Sequence, residues 1–405
     1  MTDPQTILLS LALVCATGLI VSRISAWIRM PDVVIFLLIG LLAGAFGWLP
    51  FSAAGPVGVA ITIVAASYIL YQGGEGVDFA ILRTVWLTVI LLATLGVVIT
   101  MAIVGWGAAV SLGVPMTVGL LVGAVLSATD PAVLIPIYQA LDIRARLSQT
   151  VMSEAALNDA TGAVCAAVVA MVVTTGAFSA GGALMSFGEL VAIGALVGLA
   201  TGIGCLLFIA GSRSAVAKRA GVLMLPASIL AYLVAVHLGG SGLMAAFVLG
   251  LVIGHRARRF GVAEDTRSKM REYGDSTSVI LRALLFIGLG ANLDWRALDG
   301  RWLGAIVVVA ILVFIARPLA VLMCTAVDRA AHWEWREIAL LSWTRETGVV
   351  PGALATLLLA THVPGADTVA AVTVLAVAVT VLLQAPTTGL VARRLGLVPV
   401  RAVTG

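Results

Sequence analysis

Apolar residues in this chain run in long unbroken stretches; they neither alternate with polar residues nor recur once per helical turn. A helix crossing a bilayer needs about twenty such residues, whereas a barrel strand shows about ten of alternating polarity. The pattern predicts an all-α polytopic membrane protein with about thirteen spans: 5–29, 33–49, 56–72, 84–110, 115–138, 148–173, 187–211, 219–238, 240–254, 278–292, 302–326, 337–361 and 366–391. The first run is read as a mature span, because no basic segment precedes it and it is too long for a signal core. Residues 255–275 read as a mixed-charge loop, with His255, Arg256, Arg258 and Arg259 followed by Glu264, Asp265, Glu272 and Asp275.

Composition agrees. Of 405 residues, 61% are hydrophobic and 11% charged, against roughly 45–50% and 25% in soluble domains. That leaves too few charges to cover a water-facing surface, which excludes a soluble enzyme, a disordered chain and a collagen-like one. The 43 glycines suit helices packed closely in lipid. Cys15, Cys165, Cys205 and Cys324 are scattered through apolar runs and read as small packing residues. The histidines have no ligand spacing, and His255 and His332 read as solvated.

Orientation follows from the distribution of bases, since cytoplasmic loops concentrate Lys and Arg. With the N-terminus outside and the C-terminus cytoplasmic, nineteen of the 24 bases fall at cytoplasmic loops or span ends. Arg296 and Arg301 fall opposite, and Arg282, Arg317 and Arg345 lie at or inside apolar runs. The 256–259 cluster reads as part of this anchor rather than as a lipid or nucleic-acid site.

The informative residues are charges inside spans: Asp130, Glu154, Asp159, Arg317, Arg345 and Glu346. Each costs roughly 2.5–3.5 kcal/mol at mid-bilayer on insertion scales, so such groups meet partners or line a pathway. In span 5, Pro131 removes a backbone donor, which predicts a helix break near 127–131 with Asp130 at the start of the second half-helix. Span 12 has its own interruption, Thr344-Arg345-Glu346-Thr347-Gly348, followed by Pro351 and Gly352. The two spans cross in opposite directions, as the broken helices of inverted-repeat secondary transporters do. In span 6, Glu154 and Asn158 share a face while Asp159 points elsewhere.

At these residues the chain resembles the NhaP-like branch of the monovalent cation:proton antiporters. The resemblance rests on Ser-Ala-Thr-Asp-Pro-Ala at 127–132, Glu-Ala-Ala-Leu-Asn-Asp-Ala-Thr-Gly at 154–162 and Ala-Arg-Pro-Leu at 316–319. It implies a homodimeric antiporter of the cell (inner) membrane exchanging Na+, K+ or Li+ for protons, not an enzyme, with no cofactor beyond the transported ions. By position it implies an ion and proton site of Asp159, Asp130, Thr129 and Asn158. Glu154 and Arg317 would form a structural ion pair, and Arg345 would compensate helix dipoles. An Asn-Asp pair at 158–159 implies electroneutral exchange. The implied division is dimerisation helices in 1–83 and 212–301, a linking helix in 174–211, and a transport core in 84–173 and 302–405. Three positions depart from the family pattern: Ala155, Gln72 before Gly73-Gly74, and Glu346.

The expected mechanism is competition. Burial disfavours a bare carboxylate, so Asp159 holds either a proton or a cation, and oxygen ligands suit a hard cation. The alternative is a proton- or sodium-coupled symporter of an organic solute or anion on a related crossed-helix fold. A lipid-modifying enzyme is disfavoured by the lack of paired catalytic residues near a membrane face.

Overall fold

The computed structural model of the protein describes residues 4–28, 32–48, 52, 55–77, 79–129, 138, 143–177, 179–211, 219–293 and 295–398. Every regular element among them is helical. The first half comprises α1 (Pro4–Ile28), α2 (Asp32–Ala45), α3 (Pro56–Glu75), α4 (Phe79–Ala93), α5 (Leu95–Leu112), α6 (Met116–Ser127) and α7 (Ala145–Thr175). It continues with α8 (Ala180–Gly211), α9 (Ala220–His237), α10 (Gly242–Arg256) and α11 (Glu264–Ala291). The last stretch holds α12 (Trp302–Ile311), α13 (Arg317–Val327), α14 (Trp335–Trp343), α15 (Val349–Ala360) and α16 (Ala366–Arg394). Nine membrane-crossing helices, long and apolar enough by length and composition, occur among the described residues; four shorter apolar helices occupy the remaining span positions.

Four spans depart from a continuous α-helix in ways that shape the interior. The fourth is interrupted between α4 and α5 at Thr94, whose hydroxyl donates back to the Ile90 carbonyl at 2.7 Å while its backbone N–H reaches the same carbonyl at 2.9 Å. The eleventh carries a π-turn at Leu312–Ala316 immediately before Arg317. Pro318 follows and lacks a backbone donor, so a wider turn just before it accommodates the missing bond. The twelfth breaks between α14 and α15, leaving 344–348 outside either helix. In the fifth, α6 stops at Ser127 and Ala128 is extended. Asp130, Pro131 and Pro136, with most of the second half of that span, lie outside the described residues.

The mixed-charge loop expected over 255–275 is corrected: α11 begins at Glu264, well before the apolar part of its span. Its charges are arranged as a helix requires. Glu264 and Asp265 sit in the first turn, where the dipole favours acids. Arg267 pairs with Glu264 one turn on, and Lys269 with Asp265 at 2.6 Å.

Helices α1–α3 pack with α8–α11, whereas α4–α7 pack with α12–α16; α3 touches both groups through α7 and α15. Small residues allow the closest approaches. A Cβ on Gly250 of α10 would sit on the Tyr71 carbonyl of α3, and one on Gly123 of α6 on the Met101 carbonyl of α5. Those positions exclude any side chain.

Candidate ion site at the helix breaks

The broken backbones meet. Arg345, in the 344–348 segment, donates from Nη2 to the Leu126 carbonyl at the C-terminal end of α6, at 2.5 Å. A guanidinium there satisfies a carbonyl that the broken helix cannot and offsets the negative end of its dipole.

α7 runs past this crossing and places three polar side chains on it. Asn158 is buried and faces the extended residues after α6. Its Oδ1 accepts from the Thr129 backbone N–H and hydroxyl, each at 3.2 Å, and its Nδ2 reaches Thr129 Oγ1 at 2.9 Å. Asn158 therefore supplies the partner that the unwound backbone needs. Asp159, the next residue, is 7% exposed, and Thr129 equally so. One turn earlier, Glu154 forms a bidentate pair with Arg317, the Nη2 to Oε2 arm measuring 2.9 Å. Both residues are 2% exposed. Arg317 is further held by α14, with Nε donating to the Leu341 carbonyl at 3.0 Å and Nη2 to the Thr344 carbonyl at 3.3 Å. Ser127, Glu154, Asn158, Arg317 and Arg345 line one narrow internal space together with Gly96, Val97 and Thr100 of α5.

The structure thus brings Thr129, Glu154, Asn158, Arg317 and Arg345 to one place, with Asp159 beside Asn158. Asp130 lies outside the described residues. Of the departing positions, Ala155 is buried, Gln72 accepts from Ser278 of α11, and Glu346 is completely buried in the break.

A further set was not singled out from the sequence. Thr373, Thr380, Gln384 and Thr388 of α16 are all buried at 0% exposure. Their spacing of seven, four and four puts them on one face of the helix. That face supports the second break: Thr380 Oγ1 accepts from the Thr347 N–H at 3.1 Å, and Gln384 Nε2 donates to the Trp343 carbonyl at 2.6 Å. Polar residues at this helical spacing within an apolar span were the available signal. Where the membrane offers no water, non-helical backbone needs such partners.

Beyond the membrane-spanning segments, Arg144 donates to Glu334 at 3.0 Å, and this hydrogen bond holds the Glu334 carboxyl below the usual range.

The sequence matches the transmembrane sodium/hydrogen exchanger family over residues 9–394. The chain belongs to that family. Among its relatives, the K(+)/H(+) antiporter NhaP of Alkalimonas amylolytica is 30% identical over 345 residues, covering 84% of this chain and 58% of the relative. The K(+)/H(+) antiporter NhaP2 of Shewanella oneidensis is 28% identical, covering 88% of this chain and 61% of the relative. This chain therefore spans about three fifths of the length of those two antiporters. The Na(+)/H(+) antiporter 1 of Methanocaldococcus jannaschii is 29% identical, covering 85% of this chain and 81% of the relative. The structure of the sodium proton antiporter MjNhaP1 from the same organism, at pH 8, superposes with a TM-score of 0.85 at 25% identity, covering 96% of this chain and 99% of that one. The sodium/hydrogen exchanger member described here is thus an NhaP-like multi-pass membrane protein with an antiporter fold.

Proposed function

We propose that this chain exchanges a monovalent cation for a proton across the membrane, with Asp159 alternately holding each. The observation that carries this reading is the buried Asp159 carboxylate beside the Asn158–Thr129 link at the crossing of two broken helices. Nearby, Arg317 holds Glu154 and Arg345 holds the Leu126 carbonyl. Burial disfavours the bare carboxylate of Asp159 and favours a bound proton or cation, which exclude each other. Thr129, with Asp130, adds oxygen ligands suited to a hard monovalent ion. Asn158 adds no charge, so each loaded state carries one positive charge and the exchange is electroneutral. Alternating access carries the two loaded states across, with α4–α7 and α12–α16 as the moving core, α8 as the linking helix and the remaining helices as a dimer scaffold. The positive-inside distribution supports an N-terminus outside.

The relatives named above include both K(+)/H(+) and Na(+)/H(+) antiporters, so the test compares ions. Purified protein in liposomes is expected to show proton flux driven by sodium, potassium or lithium gradients. Absence of flux with all three would refute exchange. Acceleration by an imposed membrane potential would refute the one-for-one stoichiometry.

A further inference from the structure

On the arginine-rich side of the membrane, away from the ion site, another buried carboxylate joins the starts of two helices. Glu337 lies in the first turn of α14 and is 0% exposed. Its Oε1 accepts from Arg144 at 3.2 Å, its Oε2 pairs with Arg146, and the same Oε2 accepts the Glu334 backbone N–H at 3.1 Å. The last bond belongs to a reciprocal cap that starts α14. A single carboxylate thus binds the N-terminal end of α7 to that of α14. Arg146 extends the tie: it donates to the Ala331 carbonyl at 2.9 Å and lies 4.3 Å over the Trp333 ring. Trp333 Nε1 donates to Thr88 of α4 at 2.8 Å, and that hydroxyl donates to buried Asp328 at 2.6 Å.

We propose that Glu337 is a positioning residue for transport, setting the register of α7 against α14 and through it the seat of Arg317 on Glu154. Both helices lead directly from this tie to the site. Glu154 follows Arg146 by about 12 Å along α7, and Thr344 follows Glu337 by about 10 Å along α14. At that level Arg317 bridges them, bound to Glu154 on one side and to the Leu341 and Thr344 carbonyls on the other. Two ties about three helical turns or fewer apart define one register. Releasing the outer tie leaves α14 free to slide or rotate, carrying the acceptors of Arg317 with it. The carboxylate of Glu154 then shifts, and with it Asn158 one turn on. This proposal rests on the exchange reading given above, and it adds a residue with no contact to the transported ion.

The test uses the full chain with Glu337→Gln and, as a gentler variant that keeps the charge, Arg146→Lys. In liposomes, Glu337→Gln is expected to raise the apparent KM for the driving sodium or potassium about tenfold, with maximal rate changed far less. The acid limb of the pH profile should move upward, because a weaker cation site loses to protons at higher pH. Arg146→Lys should shift both in the same direction by a smaller factor. Spin labels at positions 149 and 342 should report a broader distance distribution in both variants. Reduced thermal stability with unchanged KM and pH profile would mean a simple anchor and would overturn the proposal. An unchanged distance distribution would overturn it too. If Glu337→Gln does not fold, Arg146→Lys decides the matter. A wild-type protein without cation-driven flux would refute the exchange reading instead, and the distance measurement would still judge the register.

Discussion

Removing either partner of the Glu154–Arg317 pair should destabilise the protein, and the two single changes should not be equal. Breaking a buried ion pair costs about 3–5 kcal/mol, because the remaining charge stays desolvated. With Glu154→Gln, Arg317 keeps its hydrogen bonds to the Leu341 and Thr344 carbonyls at 3.0 and 3.3 Å. The glutamine oxygen still accepts one bond, so the loss sits near the lower end, about 3 kcal/mol. With Arg317→Met, the Glu154 carboxylate is stranded and both carbonyls lose their donor. Each orphaned buried acceptor costs about 1–3 kcal/mol, which moves this change to the upper end, about 5 kcal/mol. The double variant removes both charges and should cost about 3 kcal/mol less than the sum. Equilibrium unfolding in mixed detergent micelles, with refolding checked for each variant, measures the cycle. A double variant additive within about 0.5 kcal/mol would show that the two charges do not depend on each other. A larger loss for Glu154→Gln than for Arg317→Met would contradict the part given to the α14 carbonyls.

Other outcomes follow from the same geometry. Asp159→Asn is expected to abolish cation-driven proton flux while the purified protein remains folded, since the amide is nearly isosteric but cannot alternate between charge states; near-wild-type flux would remove Asp159 from the mechanism. Apparent cation affinity in liposomes should weaken as pH falls, because protons occupy the same carboxylate, and a pH-independent affinity would exclude competition. Gln384→Leu leaves the Trp343 carbonyl without its 2.6 Å donor and should cost about 1–3 kcal/mol in the same unfolding assay; no loss would mean that the second break is held by other groups. The hydrogen bond from Arg144 lowers the Glu334 carboxyl in the folded protein. Its stabilisation is therefore complete above the usual glutamate range and lost as pH falls through the lower folded value. Glu334→Gln should flatten the thermal midpoint across that acidic window, and an unaltered slope would assign the dependence to another group.

Spans, breaks and the rarity of interior charge are legible along the chain because each depends on local requirements. A lipid-crossing helix needs a long apolar run, so the apolar spans could be read along the chain: nine helices long and apolar enough, and four shorter ones, occur among the described residues. The charged stretch at 344–348 cannot continue a buried apolar helix, so that interruption was also legible, as was the end of α6 at Ser127; Pro131 itself lies outside the described residues. α11 begins at Glu264, where the charge density of the sequence predicts a loop. The acid-to-base spacing of Glu264 with Arg267 and Asp265 with Lys269 is in fact a helical pattern. Composition and spacing could show that Glu154 requires a partner, and resemblance pointed to Arg317, but only folding places α7, the π-turn before Arg317 and the end of α14 together. The two residues are 163 positions apart. The same holds for Arg345 reaching Leu126, Thr380 and Gln384 serving the second break, and Glu337 binding α7 to α14. These pairings depend on which helix faces are adjacent and how each is rotated. Neighbouring backbones and a turn of π-helix set that rotation, and hydrophobic pattern alone does not encode it.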